Sequence, residues 1–175
     1  MESLQYPIGK FTPKGSSLTP DERSALVARI RALPGEARAA VRALDEAQLN
    51  TGYREGGWCP RQIVHHLADS HANAFIRFKL ALTEDAPAVK TYHQDRWALL
   101  ADVCGVPVEP SLAILDGLHD RWARLLESLT PDDFVRRVRH PELGDVDLDF
   151  LLQMYAWHGR HHVTQVTALR AREGW

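Results

Sequence analysis

The chain is 175 residues long, 45% hydrophobic and 25% charged, with a formal net charge of -2. That length suits one domain with a sizeable core, and the near-balanced charge removes the electrostatic basis for binding nucleic acid or an anionic membrane. No apolar run approaches the roughly 18 residues that would span a bilayer, and the opening MESLQYPIGKF has neither the basic nor the apolar region of a secretory signal, so the expected location is the cytoplasm.

Residues 1–17, which include PKGSS, are expected to form an irregular arm. Thr19-Pro20-Asp21-Glu22 then has the pattern of a helix start: Thr caps, Pro takes the first helical position, and Glu lies three residues beyond the cap. The helix should run to about Leu44, bent or interrupted at Pro34-Gly35. Gly56-Gly57 separates it from a second helix, starting near Trp58-Cys59-Pro60 and reaching about Leu82. Cys59 and Cys104 match no metal-binding spacing and are expected as free thiols. Residues 85–108 are expected to be a connection with little regular structure. A third helix opens at Pro110-Ser111 and reaches about Leu129, Thr130-Pro131-Asp132-Asp133 starts a short helical turn, and RHPELGDVD forms a loop or small hairpin. The fourth long helix spans about Asp147 to Arg172. Four long amphipathic helices predict an all-α, four-helix bundle, one domain over residues 1–175.

The stretch WHGRHH places three of the nine histidines within five residues of the fourth helix. At about 100° per residue, Leu151, Tyr155, His158, His162, Gln165 and Leu169 share one stripe. Its apolar ends must face the core, so His158 and His162 point inward, while Arg160 faces solvent and His161 lies to one side. Side chains at i and i+4 sit about 5–6 Å apart at Cβ and can reach one metal ion. Two stacked imidazoles also carry four ring nitrogens that need partners if buried, which a metal helps to satisfy.

On the second helix, Ile63, Leu67, Ala74 and Phe78 form the apolar stripe, and His66, Ser70, Asn73 and Arg77 form a polar margin beside it. His66 is the candidate third ligand; Ser70, Asn73 and Arg77 are candidates for a substrate pocket. His65 should point away from the margin and His71 should lie beyond Leu67 on the other side, while His93, His119 and His140 lack partners at ligand spacing and are expected at the surface or in loops. Cys59 lies about 10.5 Å along the axis from His66, too far to share its ion. Trp58, Trp97, Trp122 and Trp157 are expected in the core or at an interface. Three histidines leave a coordination position open, the pattern of a catalytic rather than a structural metal site. Imidazole suits zinc, nickel, copper or ferrous iron.

YPIGKF, HHLADSH followed by RFKLALTED, LHDRWARLLESL, HPELG and YAWHGRHH together resemble the YfiT-type branch of the DinB-like family, in the same order over nearly the whole chain. The resemblance implies a four-helix bundle and a three-histidine site matching His66, His158 and His162. It implies one divalent ion per subunit, zinc first and nickel second, a homodimer, and metal-dependent hydrolase chemistry. Superfamily relatives that transfer bacillithiol or mycothiol imply a second chemistry, in which a coordinated small thiol attacks an electrophilic substrate. Hydrolysis wants an acid–base group near the ion. The pattern offers only Asp69, which by the helical wheel points away from the pocket margin, so thiol transfer is the preferred expectation. The control reading is a noncatalytic metal-binding stress protein.

Overall fold

The computed structural model describes residues 2–15 and 17–175; residues 1 and 16 of the expected arm lie outside the described residues. The elements are α1 (Glu2–Gln5), α2 (Pro20–Val41), α3 (Glu46–Leu49), α4 (Pro60–Thr83), α5 (Gln94–Trp97), α6 (Glu109–Glu127), α7 (Pro131–Phe134), β1 (Arg137–His140), β2 (Gly144–Asp147) and α8 (Leu148–Glu173). The arm is therefore not wholly irregular, because it opens with the helical turn α1.

Helix α2 begins as its sequence dictates. Thr19 Oγ1 accepts the Glu22 N–H, and the Glu22 carboxylate accepts the Thr19 N–H at 3.0 Å. It ends at Val41, short of Leu44, and of the two expectations at Pro34-Gly35, a bend or an interruption, the interruption does not occur. A helical proline leaves the carbonyl four residues earlier without its N–H donor. Here that carbonyl belongs to Ile30, and it accepts a hydrogen bond from His119 Nδ1 on α6 at 2.6 Å. The partner from another helix satisfies the group that would otherwise favour a break.

The long helices α2 and α4 each pack against both α6 and α8, so α2 and α4 occupy opposite corners of the bundle. Pro131-Asp132-Asp133 makes the expected turn, and RHPELGDVD closes as an antiparallel hairpin with Val138 opposite Val146. Within 85–108 the only regular pieces among the described residues are α5 and a parallel bridge from Ala88 to Arg139 on the hairpin.

The apolar interior falls into two clusters. Phe78, Trp122, Leu148, Leu151 and Leu152 fill the hairpin end, and Ile63, Leu67, Leu115, Val166 and Leu169 fill the other. The histidines of α4 and α8 lie at the junction between them. There α8 approaches α2 very closely: a Cβ placed on Gly159 would sit 2.6 Å from Leu33 Cδ2 and 2.8 Å from its Cδ1. Leu33 is itself buried and has little room to yield. Gly159→Ala is therefore expected to lower the unfolding free energy by about 1–3 kcal/mol through overpacking, despite the gain of roughly 0.5–1 kcal/mol in helix propensity. Urea denaturation measures the difference, and a stabilised variant would show that the helices separate freely.

Candidate metal centre

Helix α4 carries His66 and α8 carries His158 and His162, and one ring nitrogen from each lies within 4.8 Å of the other two. His66 Nε2 is 3.2 Å from His158 Nε2; ligands around a tetrahedral zinc ion stand roughly 3.3 Å apart, given Zn–N bonds of about 2.0–2.1 Å. The rings meet edge to face, with centroids 4.8 Å apart for His66 and His162 and 4.6 Å for His158 and His162. Trp58 closes the cluster on one side, packing on His66 and stacking on His162. Burial first, and then the charge of neighbouring histidines, holds all three well below the ordinary histidine range. The rings are neutral at pH 7, as metal ligation requires. No aspartate, glutamate or cysteine joins the group among the described residues.

The hydrogen bonds decide which nitrogen of each α8 ring carries the proton. A carbonyl can only accept, so His119 Nδ1 must donate to Ile30. His119 is neutral, its affinity for a proton reduced chiefly by burial, so its Nε2 accepts from His71 Nδ1 at 3.0 Å. His71 is likewise neutral, and its Nε2 accepts from His158 Nδ1 at 3.1 Å. The chain of three rings thus leaves a lone pair on His158 Nε2, facing His66. A shorter relay acts on His162. The Gln165 amide donates to the carbonyl of Gln5 at 2.9 Å, so its oxygen accepts from His162 Nδ1 at 2.9 Å and the lone pair lies on His162 Nε2. Second-layer hydrogen bonds of this kind orient metal ligands and raise their basicity. The residues present fit a divalent cation.

Ser70 and Arg77 line a cavity of about 500 Å³ together with His158, Tyr92, His140 and Tyr155. Asn73 is not part of that lining; its amide turns back to the Asp69 carbonyl at 2.9 Å. Asp69 is half-buried, and burial and then Asp102 raise its carboxyl above the usual range. Two histidines, His119 and His140, are buried instead of lying at the surface or in loops, while His71 lies beyond Leu67 as expected and is also buried. His119 and His71 are buried at 1% and 0% exposure in the relay, and His140 is buried against the cavity. His65 avoids the pocket margin but is also buried, with Nδ1 2.8 Å from Ser111 Oγ. His161 does sit to one side, under Tyr6 and Trp157, and its Nε2 accepts from Gln165. Cys59 is the buried N-cap of α4, and both cysteines are free. Trp122 is in the core, whereas Trp97 is 37% exposed.

Neutral imidazoles whose ring nitrogens converge inside a helix bundle, one from each of three histidines, form a candidate histidine-only metal centre. The chain belongs to the DinB superfamily, whose sequence model matches residues 29–166. It is 51% identical, over all of its own length and 98% of the relative's, to a Geobacillus kaustophilus protein named "putative metal-dependent hydrolase". A Bacillus mycoides protein with the same description is 47% identical over the full length of both. Among solved structures, YfiT from Bacillus subtilis superposes with a TM-score of 0.96 at 41% identity, covering 99% of each chain, and is described as a probable metal-dependent hydrolase with an unusual four-helix bundle topology. TT2238, a four-helix bundle protein, shares the fold with a TM-score of 0.59 at 22% identity, over 83% of this chain and 98% of that one.

Proposed function

We propose that the chain is a metal-dependent enzyme in which His66, His158 and His162 hold one divalent ion, zinc before nickel, and that it transfers a small thiol to an electrophilic substrate. A divalent ion in such a site acidifies a coordinated thiol or water and so supplies a nucleophile at neutral pH. The observation that carries the choice is the make-up of the surroundings. The ring cluster contains only histidines, all neutral and all committed by hydrogen bonds or to the ion, and no carboxylate joins it among the described residues. A thiol loses its proton on coordination and needs no separate base, whereas hydrolysis gains from one. The protein's own residues then orient the ligand rings, pack Trp58 against two of them, and leave the cavity beside His158 open for substrate. Hydrolysis is the second reading, supported by the descriptions of the relatives.

The test is turnover against thiol concentration in the zinc-loaded protein, using monochlorobimane as electrophile and bacillithiol within a thiol panel. The expected result is a metal-dependent rate that rises and saturates, with slow ester hydrolysis indifferent to the thiol. If ester hydrolysis is the faster reaction and falls as thiol is added with the metal still bound, the hydrolase reading replaces this one.

A further inference from the structure

The cavity beside His158 has an end that the ligand cluster does not use. Arg77 is only 7% exposed, yet its guanidinium forms no ion pair among the described residues. One N–H goes to the Tyr155 hydroxyl oxygen at 2.6 Å and another to the Lys90 carbonyl at 2.7 Å, both neutral acceptors. A buried cation normally has a counter-charge, because desolvation is costly without one. Of the five N–H groups of a guanidinium, three remain unspent.

The neighbouring groups are donors as well. Tyr155 receives the Arg77 N–H on its oxygen, so its own O–H proton must point elsewhere. His140 Nδ1 accepts the backbone N–H groups of Glu142 and Leu143, both at 3.3 Å, so in the neutral ring the proton is on Nε2. Arg77, Tyr155 and His140 all line the cavity that His158 lines. The carboxylates of that lining, Asp95 and Glu142, are exposed at the rim, where Arg96 is also exposed.

We propose that this end of the cavity is an anion subsite holding a carboxylate of the substrate, with Arg77 as the charge partner and Tyr155 and His140 as further donors. One fixed positive charge matches one carboxylate, and the planar fork of arginine matches its two oxygens. Phosphate concentrates its charge of between about one and two on a single centre beside Asp95 and Glu142, whereas a dicarboxylate such as succinate brings one carboxylate to Arg77 and carries the second at its other end. A cavity of about 500 Å³ accommodates a small molecule that reaches from Arg77 to His158. The assignment of the His158 end as the reacting end rests on the proposed function; the subsite itself does not.

Calorimetric titration with succinate separates the two. Wild type and His66→Ala, which removes a proposed metal ligand, are expected to bind succinate with similar dissociation constants. Arg77→Met should weaken binding by about tenfold or more, as expected for loss of a charged hydrogen-bond partner. Tyr155→Phe should weaken it by a smaller factor while keeping the tie from Arg77 to Lys90, and it decides the matter if Arg77→Met does not fold. Inorganic phosphate should bind more weakly than succinate. The subsite is disproved by unchanged affinity in Tyr155→Phe and Arg77→Met, by succinate binding that vanishes in His66→Ala, or by a preference for phosphate. Succinate held at Arg77 in a protein without metal-dependent turnover would overturn the proposed function and leave the subsite standing.

Discussion

His158→Ala and His162→Ala are each expected to reduce bound metal from one ion per chain to less than about a tenth of that, while His161→Ala retains it. Three neutral imidazoles are the whole ligand set, and removing one leaves two, too few for a stable catalytic-type site. His161 is the informative control because it neighbours His162 and is also buried. Its Nε2 merely accepts a hydrogen from Gln165. Gln165 remains anchored by the Gln5 carbonyl and by His162 when His161 is gone. Metal content by mass spectrometry on dialysed protein measures all three variants. Full occupancy in His158→Ala, or an empty site in folded His161→Ala, would show that a different set of rings holds the ion.

The second large effect concerns a residue that does not touch the ion. His71→Leu should weaken zinc affinity by about 10- to 100-fold, the range seen when second-layer partners of metal ligands are lost. The substitution removes the acceptor for His158 Nδ1–H and the donor to His119 Nε2. It also leaves buried polar groups unpaired, at a cost of about 1–3 kcal/mol to folding, so melting must be followed separately. His71→Gln places an amide oxygen within reach of His158 and should recover most of the affinity. Nitrogen-15 spectra of the metal-free wild type should show His158 protonated on Nδ1. Wild-type zinc affinity in His71→Leu, or a His158 protonated on Nε2, would reduce the relay to packing.

The parts of this site that the sequence made legible are those governed by one helix at a time. His158 and His162 lie between Leu151 and Leu169, and the apolar ends of that stripe oblige its middle to face inward. His66 was read from the polar margin of the second helix, a weaker signal, and the structure brings its ring to those of His158 and His162. The burial of His119 and the part His71 takes in the relay went unread although their signals were present. Ile63, Leu67, His71, Ala74 and Phe78 recur at spacings of three and four, as do Leu112, Leu115, His119, Trp122 and Leu126. Each histidine sits within an apolar stripe and must be buried with it. His140 had the alternation of its strand, exposed Arg137 and Arg139 against buried Val138 and His140. Ligand spacing does not reveal them, because a hydrogen-bond relay needs no fixed spacing along one chain segment. The continuity of α2 through Pro34 was beyond the sequence for a different reason: the donor that satisfies Ile30 comes from α6, 89 residues away.

That proline gives the relay a direction. A row of imidazoles between two exchangeable ends can shuttle a proton either way, each ring passing on what it receives. Here one end is a backbone carbonyl, freed by an imino acid and unable to give up a hydrogen under any condition the folded protein survives. Running the row backwards would set the bare Nδ1 of His119 against that oxygen, two acceptors facing one another at 2.6 Å. The row is locked in one orientation, and the His158 Nε2 lone pair faces His66 Nε2, 3.2 Å away, before any ion arrives. An incoming cation has no proton to evict from that ring, so the readiness of the ligand is supported through two other rings by a carbonyl that a proline on α2 leaves free.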